Sequence, residues 1–271
     1  MTSLNDAVKQ ETAKRRRTRR RNLAIRLGSI CALLIVWEVG GYFSPPIFLS
    51  PFHASIVAFG RMTMNGTLLI ATMNSLFVLL AGLAISVVIG VVVGLLMGRY
   101  RRFDWAAAPY VNGLYATPTV ALLPIISLWF GLYYAPKVVL VVLLAVFPII
   151  KNIHAGVATL SQELLEPATS MDASELQIFH KVVGPAIIPF LMAGLRLAVG
   201  RAIVGLVVGE FFTAQTGLGG LLVRYASDFK TAEMFVPIAV LTTIGYVLTS
   251  AVVASQRWLA PWKESERDLG V

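Results

Sequence analysis

The 271-residue chain is 57% hydrophobic and carries only 14% Asp, Glu, Lys and Arg, about half the charged share of an ordinary soluble domain. That balance argues against a soluble globular enzyme, and 22 Gly, 13 Pro and one Cys match neither collagen, a disordered chain nor a disulfide scaffold. The net charge of +9 is concentrated at the start instead of over a surface, which points away from nucleic acid and toward a membrane flank.

Lys14, Arg15, Arg16, Arg17, Arg19, Arg20 and Arg21 form a basic run within residues 1–24, which read as a cytoplasmic N-terminal tail beside anionic lipid headgroups. The first apolar span follows at 25–43. A secretory signal peptide shares this basic-then-apolar pattern, but Glu38 within the stretch, the lack of a small-x-small cleavage site and the further spans argue against it. Cys31 packs as a small hydrophobe and leaves no cysteine pair for redox or metal chemistry.

An external loop runs to residue 67. A helix needs about 20 mostly apolar residues to cross a bilayer, and five more spans meet that test at 68–98, 106–130, 136–158, 187–212 and 235–258. The expected fold is an all-α integral membrane protein with six transmembrane helices: residues 25–67 hold the first helix and its external loop, 68–258 a five-helix core, and 259–271 a cytoplasmic tail. Pro109, Pro118, Pro124, Pro136, Pro148 and Pro237 predict kinks or breaks in or beside these spans.

Positive residues accumulate on the cytoplasmic side of short loops. With the N-terminus inside, that side takes nine Lys and Arg through Arg26, then Arg99, Arg101 and Arg102, then Lys151 and Lys181, then Arg257, Lys263 and Arg267. The external side takes Arg61, Lys137, Arg224 and Lys230. Both termini are therefore expected in the cytoplasm.

Span two carries Gly82, Ser86, Gly90, Gly94 and Gly98, one small residue every four positions and so on one helical face. Such a face admits a close neighbour where dispersion packing replaces the hydrophobic effect. The alternative is that glycine is simply common in membrane helices.

The polar stretch 161–189 lies between spans four and five. Pro167 suits the first position of a short helix, and a turn is expected near Asp172. Ser174-Glu175-Leu176-Gln177 has the S-x-x-Q form of a capping box, so a second helix is expected from Ser174. Leu176, Phe179 and Val183 then give one apolar face, and Gly184-Pro185 is expected to stop the helix.

These residues carry a resemblance. Glu166-Pro167-Ala168, then Ala173-Ser174, Gln177, Phe179, Val182 and Pro185 resemble the EAA loop of ABC-importer permeases. Pro167 stands for the middle alanine, Asp172 for the expected glycine and Gly184 for the leucine before the closing proline. Asp172 can keep the turn, because Asp tolerates left-handed backbone. Asn74-Ser75, Gly94-Leu95-Leu96-Met97-Gly98, Ala121-Leu122-Leu123-Pro124, Leu128-Trp129-Phe130-Gly131, Phe147-Pro148-Ile149 and Gly217-Leu218-Gly219 extend the likeness over roughly residues 68–250, toward the nitrate, sulfonate and taurine branch.

The resemblance implies a type I ABC importer permease fold in the bacterial inner membrane, with a second copy of this chain, two ATPase subunits and an extracytoplasmic substrate-binding protein as partners. It implies a small organic or inorganic anion as solute, with thiamine- or riboflavin-precursor solutes as the alternative. Glu166, Ala168, Asp172, Ala173, Ser174, Gln177, Phe179 and Pro185 would form the ATPase-coupling loop. ATP and Mg would sit on the ATPase, leaving this chain without a cofactor.

Ionisable groups inside membrane spans are expensive, which singles out Arg196, Arg201 and Glu210 in span five. At about 1.5 Å per residue, Arg196 and Arg201 stand roughly 7.5 Å apart along the axis and Arg201 and Glu210 about 13 Å, too far for one ion pair. The arginines either face a translocation cavity and attract an anion or bond to neighbouring helices. Glu210, near the outer end, suits a structural contact to the external loop. Thr117 and Thr119 flank Pro118 and are further pathway candidates, with a plain proline kink as the alternative. Trp129 fits an interfacial anchor. His53, His154 and His180 show no metal-ligand spacing.

No glycine is followed by lysine, so the phosphate-cradling G-x-x-x-x-G-K-[ST] loop is missing from this chain. Neither H-E-x-x-H nor G-x-S-x-G occurs, and the chain is expected to be no enzyme on its own. Two other classes compete with the permease. An ion-driven secondary transporter would show two related halves or a central acidic relay, and a membrane scaffold would carry no solute.

Overall fold

The computed structural model describes residues 2–160, 172–213 and 216–260, and these form helices without any strand. They divide into two compact units, Met1–Met62 with Tyr225–Val236 and Thr63–Arg224 with Pro237–Val271.

The first unit is built on α1 (Thr2–Phe43). The stretch expected to be a basic tail is helical and continues without a break into the span. Where the sequence suggested only a loop, α2 (Phe52–Met64) forms. The Trp37 ring lies 5.2 Å from Phe52 and 4.7 Å from Phe235, and its indole N–H donates to the Ser50 carbonyl at 3.1 Å. Glu38, an expensive group within a span, is matched by His53, whose backbone N–H donates at 3.0 Å and whose Nδ1 stands 2.6 Å from the carboxylate. Arg61 pairs with Glu233 at 2.6 Å.

The second unit begins with α3 (Thr67–Arg99) and α4 (Arg101–Ala116). The chain expected to form one span over 106–130 is instead a bent pair, α4 and the Thr119–Phe130 segment, meeting at 88°. Proline bars the preceding residue from helical geometry, and Thr117 is extended, at φ −67° and ψ 137°. After a 3-10 turn (Thr119–Leu122), α5 (Leu123–Phe130) starts with Pro124 in its first turn, where the missing N–H costs nothing. Pro109 and Pro148 sit within continuous helices, so Pro118 alone of this group breaks a span.

Next comes α6 (Tyr134–Ala158). The small-residue stripe of α3 packs against it: a Cβ at Gly82 would strike Val141, at Gly90 Ile149, at Gly94 Ile153 and at Gly98 Val157. Each pair is offset by the same 59 residues, so α3 and α6 run parallel and in register. Two consecutive parallel spans need a return between them. The bent pair supplies that return and counts as one crossing, giving six among the described residues with the five straight candidates.

After α7 (Glu175–Ile178) comes α8 (Gly184–Thr213). It packs antiparallel on α6, as the pairs Gly156–Phe190, Gly194–Asn152, Gly205–Val141 and Gly209–Lys137 run in opposite senses. Thus α6 carries a parallel neighbour on one side and an antiparallel one on another, and its Leu140, Val141, Ala145, Ile149 and Ile153 are fully buried. The external segment after α8 forms α9 (Gly217–Ser227), and α10 (Thr231–Leu259) closes the described chain.

Candidate functional site

The elbow begins at Asp172, whose φ of 53° is the left-handed backbone that the resemblance assigns to a glycine. Ser174 and Gln177 then form a reciprocal cap: the Ser174 N–H donates to Gln177 Oε1 at 2.8 Å, and the Gln177 N–H donates to Ser174 Oγ at 3.3 Å. Two orphan donors of the first turn are thereby satisfied.

Gly184-Pro185 does not stop this helix, contrary to expectation. The chain passes from α7 through a π-helical turn (Phe179–Val183) straight into α8, so that Phe179–Thr213 forms one 35-residue span. The Gly184 N–H reaches back five residues to the Phe179 carbonyl, where a Cβ at position 184 would crowd that carbonyl at 3.1 Å. The widened turn lets Pro185 enter the first turn of α8, where proline fits.

Ile178, Phe179 and Val183 line an apolar cavity of about 560 Å³, with Leu96 and Arg99 from α3 and Val157 from α6 on its other walls. Phe179 is 39% exposed, and Ala173 is half-buried. Glu166 and Ala168 lie outside the described residues.

Arg196 and Arg201 sit on one exposed stripe of α8, with Ala193, Leu197, Gly200 and Val204, while the opposite face packs on α6. Arg196 Nη2 donates to Gln256 Oε1 on α10 at 3.0 Å. Arg201 Nη2 donates to the Tyr115 hydroxyl at 2.9 Å, and its Cζ lies 4.8 Å from that ring's centroid. Lys151, read from sequence as a flanking charge, reaches the same ring with Nζ at 4.5 Å. The Thr117 hydroxyl bonds the Gly113 carbonyl at 2.9 Å, and Thr119 bonds the Thr117 carbonyl at 3.3 Å, so both hydroxyls serve the bend.

A second polar centre joins α3, α8 and α9. Glu210 is 1% exposed. Its Oε1 accepts the Ser75 hydroxyl at 2.7 Å and its Oε2 the Gly219 N–H at 2.7 Å, while Ser75 Oγ accepts the Leu218 N–H at 2.8 Å. A carboxylate therefore holds the positive N-terminus of α9. Lys137, expected as an external flanking charge, is also only 1% exposed. Its Nζ donates to the Thr216 hydroxyl at 2.8 Å within the electrostatic reach of Glu210. The flank count missed Lys137 because it scores position along the chain and not the direction in which a side chain packs.

His154 Nε2 stands 3.3 Å from Asp104 Oδ1, and no group of three or more His, Cys, Asp or Glu suited to a metal occurs among the described residues.

Residues 86–265 match the family model described as binding-protein-dependent transport system inner membrane component. The chain belongs to that family. This permease is similar to the formylaminopyrimidine transport permease protein ThiX of Halalkalibacterium halodurans, at 30% identity over 86% of this chain and 94% of the relative. It is also similar to the taurine transport system permease protein TauC of Escherichia coli, at 28% identity over 96% and 97% of the two chains.

Among solved structures, an inward-facing form of the MetNI methionine ABC transporter shares the fold with a TM-score of 0.58 and 20% identity, covering 73% of this permease and 98% of that chain. The permease is thus a multi-pass inner-membrane subunit with the type I ABC importer fold, a non-enzymatic component that works with an ATPase and a substrate-binding protein.

Proposed function

We propose that two copies of this permease enclose the route of a small organic or inorganic anion of the sulfonate, taurine or nitrate type, lined in part by Arg196 and Arg201. The observation that carries this reading is the exposed guanidinium of Arg201 in the middle of an apolar helix. At about 1.5 Å per residue it lies roughly 18 Å from the Thr213 end of α8 and 25 Å from Gly184. A guanidinium at that depth is too costly to face lipid, so its stripe meets a water-filled route or a second subunit. Thr117 and Thr119 shape the bend beside that route. The 28% identity to the taurine permease supports a solute that carries a sulfonate group, and the 30% identity to the formylaminopyrimidine permease supports the second reading, a heterocyclic precursor.

The coupling role falls to Glu166, Ala168, Asp172, Ala173, Ser174, Gln177, Phe179 and Pro185, which would dock on the ATPase that binds ATP and Mg. Arg99, Arg101, Arg102 and Arg257 gather toward one end of the helices, which supports a cytoplasmic elbow and cytoplasmic termini. The basic run at the N-terminus would then meet anionic lipid.

The test is uptake into proteoliposomes holding the permease, its ATPase and its binding protein. Glu166→Ala or Phe179→Ala is expected to lower uptake and leave ATP hydrolysis uncoupled while membrane insertion stays normal. Unchanged coupled uptake in both variants would remove the elbow from the mechanism. Capture of only solutes without an oxyanion group by the binding protein would overturn the anion assignment.

A further inference from the structure

We infer that Lys151 and Arg201, brought together on the ring of Tyr115, form a two-cation station for the oxyanion group of the solute. The inference deepens the anion reading above and rests on it. Three different helices build the station: Tyr115 closes α4 just before the break at Pro118, Lys151 comes from α6 and Arg201 from α8. Lys151 Nζ stands 4.5 Å and Arg201 Cζ 4.8 Å from the one ring centroid, and Arg201 also donates to the ring's hydroxyl at 2.9 Å. Phe147 packs edge-on against Tyr115, centroids 6.1 Å apart, and holds the ring in place.

Two like charges on one aromatic ring are an unfavourable arrangement away from bulk water. The ring's quadrupole attracts a cation, but it is neutral and cannot cancel two. Among the described residues no carboxylate pairs with Lys151 or Arg201. Asp104, the acidic residue of α4, faces His154 with its Oδ1 3.3 Å from Nε2, and Glu210 is taken by Ser75 and Gly219. What would neutralise the pair is an anion that none of the described residues supplies. A guanidinium offers a planar fork of donors and an ammonium a point charge, a combination that suits a group with several oxygens, such as a sulfonate. Arg196 lies outside the station, since its Nη2 is bonded to Gln256.

The station also sits where a moving solute would need it. Tyr115 borders the 88° break of the bent pair, so a shift of α4 carries the ring past the two cations and changes how tightly they hold an anion. Binding in one arrangement and release in the other then needs no further group.

The experiment uses the full-length permease in phosphatidylcholine nanodiscs, which supply no net anionic headgroup, with its lysines ¹³C-methylated and the Lys151 signal assigned through Lys151→Arg. Methanesulfonate is the probe and dimethyl sulfone its uncharged counterpart. The expected result is a saturable shift of the Lys151 signal with methanesulfonate and none with dimethyl sulfone. Arg201→Gln is expected to weaken binding at least tenfold, and Arg201→Lys to recover most of it, which separates lost charge from lost packing. No saturable shift, or an affinity for Arg201→Gln within twofold of the parent, overturns the station.

Sulfonate uptake by the complete transporter separates the two levels of the argument. Uptake that persists within twofold in the double variant Lys151→Gln/Arg201→Gln overturns the station alone. A parent transporter that moves no anion overturns the anion reading and the station's ligand with it.

Discussion

Glu210 and Gly219, nine residues apart, are joined by a 2.7 Å hydrogen bond from the backbone N–H of one to the buried carboxylate of the other. With the Ser75 hydroxyl on the second oxygen, this bond ties the end of α8 to the start of α9. Glu210→Ala would leave the Gly219 donor buried without a partner, and an unsatisfied buried group costs about 1–3 kcal/mol. The expected outcome is a lower midpoint in thermal denaturation of the purified permease. Because Lys137 would lose its countercharge, Glu210→Gln/Lys137→Met should be less damaged than the sum of Glu210→Gln and Lys137→Met alone, which a double-mutant cycle reads directly.

Gly217 is the sharper test of the same contact. It has a φ of 91°, and a Cβ there would overlap the Glu210 carboxylate. Gly217→Ala is therefore expected to lower the folded yield in fluorescence-detected size exclusion. Gly60→Ala, where a Cβ meets nothing within 4 Å, should leave the yield unchanged or raise it, since alanine is the better helix former by up to about 1 kcal/mol.

The register of α3 on α6 predicts a graded series. At Gly94 a Cβ would come 2.9 Å from Ile153 Cβ and 3.0 Å from the Ile150 carbonyl, so Gly94→Ala should destabilise by about 1–3 kcal/mol, the usual cost of overpacking. Gly94→Leu should prevent assembly of the two helices, seen as loss of the monodisperse peak. Pairing Gly94→Ala with Ile153→Ala should not rescue it, because the two nearest atoms, the Cβ of residue 153 and the Ile150 carbonyl, both remain.

At the elbow, Asp172 holds a left-handed backbone that glycine adopts without strain. Asp172→Gly should keep ATP-coupled uptake at or above the parent level, whereas Asp172→Val, a β-branched residue at positive φ, should reduce it severalfold. Ser174→Ala removes one half of the reciprocal cap and should cost the short helix about 0.5–2 kcal/mol, read as faster amide exchange at Gln177.

Much of this was legible in the sequence, for identifiable reasons. The spans follow from runs of apolar residues long enough to cross a bilayer, the stripe from its period of four, and the cap from Ser174 and Gln177 at the right spacing. What escaped depended on the third dimension. Pro118 and Pro109 look alike in sequence, yet only the first breaks its helix. Gly184-Pro185 reads as a stop, but a π turn takes up the mismatch. Lys137 and Lys151 were counted as flanks, and only the direction of their side chains reveals a buried partner for one and an aromatic ring for the other.

The unbroken run from Phe179 to Thr213 has a mechanical meaning. At about 1.5 Å of rise per residue it is roughly 52 Å long, with the elbow at one tip and the carboxylate clasp of Glu210 near the other. Its π turn lies at the Phe179 tip, and the remaining Gly184–Thr213 is one α-helix, which offers little to absorb a displacement along its length. If the elbow has the coupling role proposed for it, a push or twist at the Phe179 tip would reach Gly219 at the far end through this one helix, with no messenger in between.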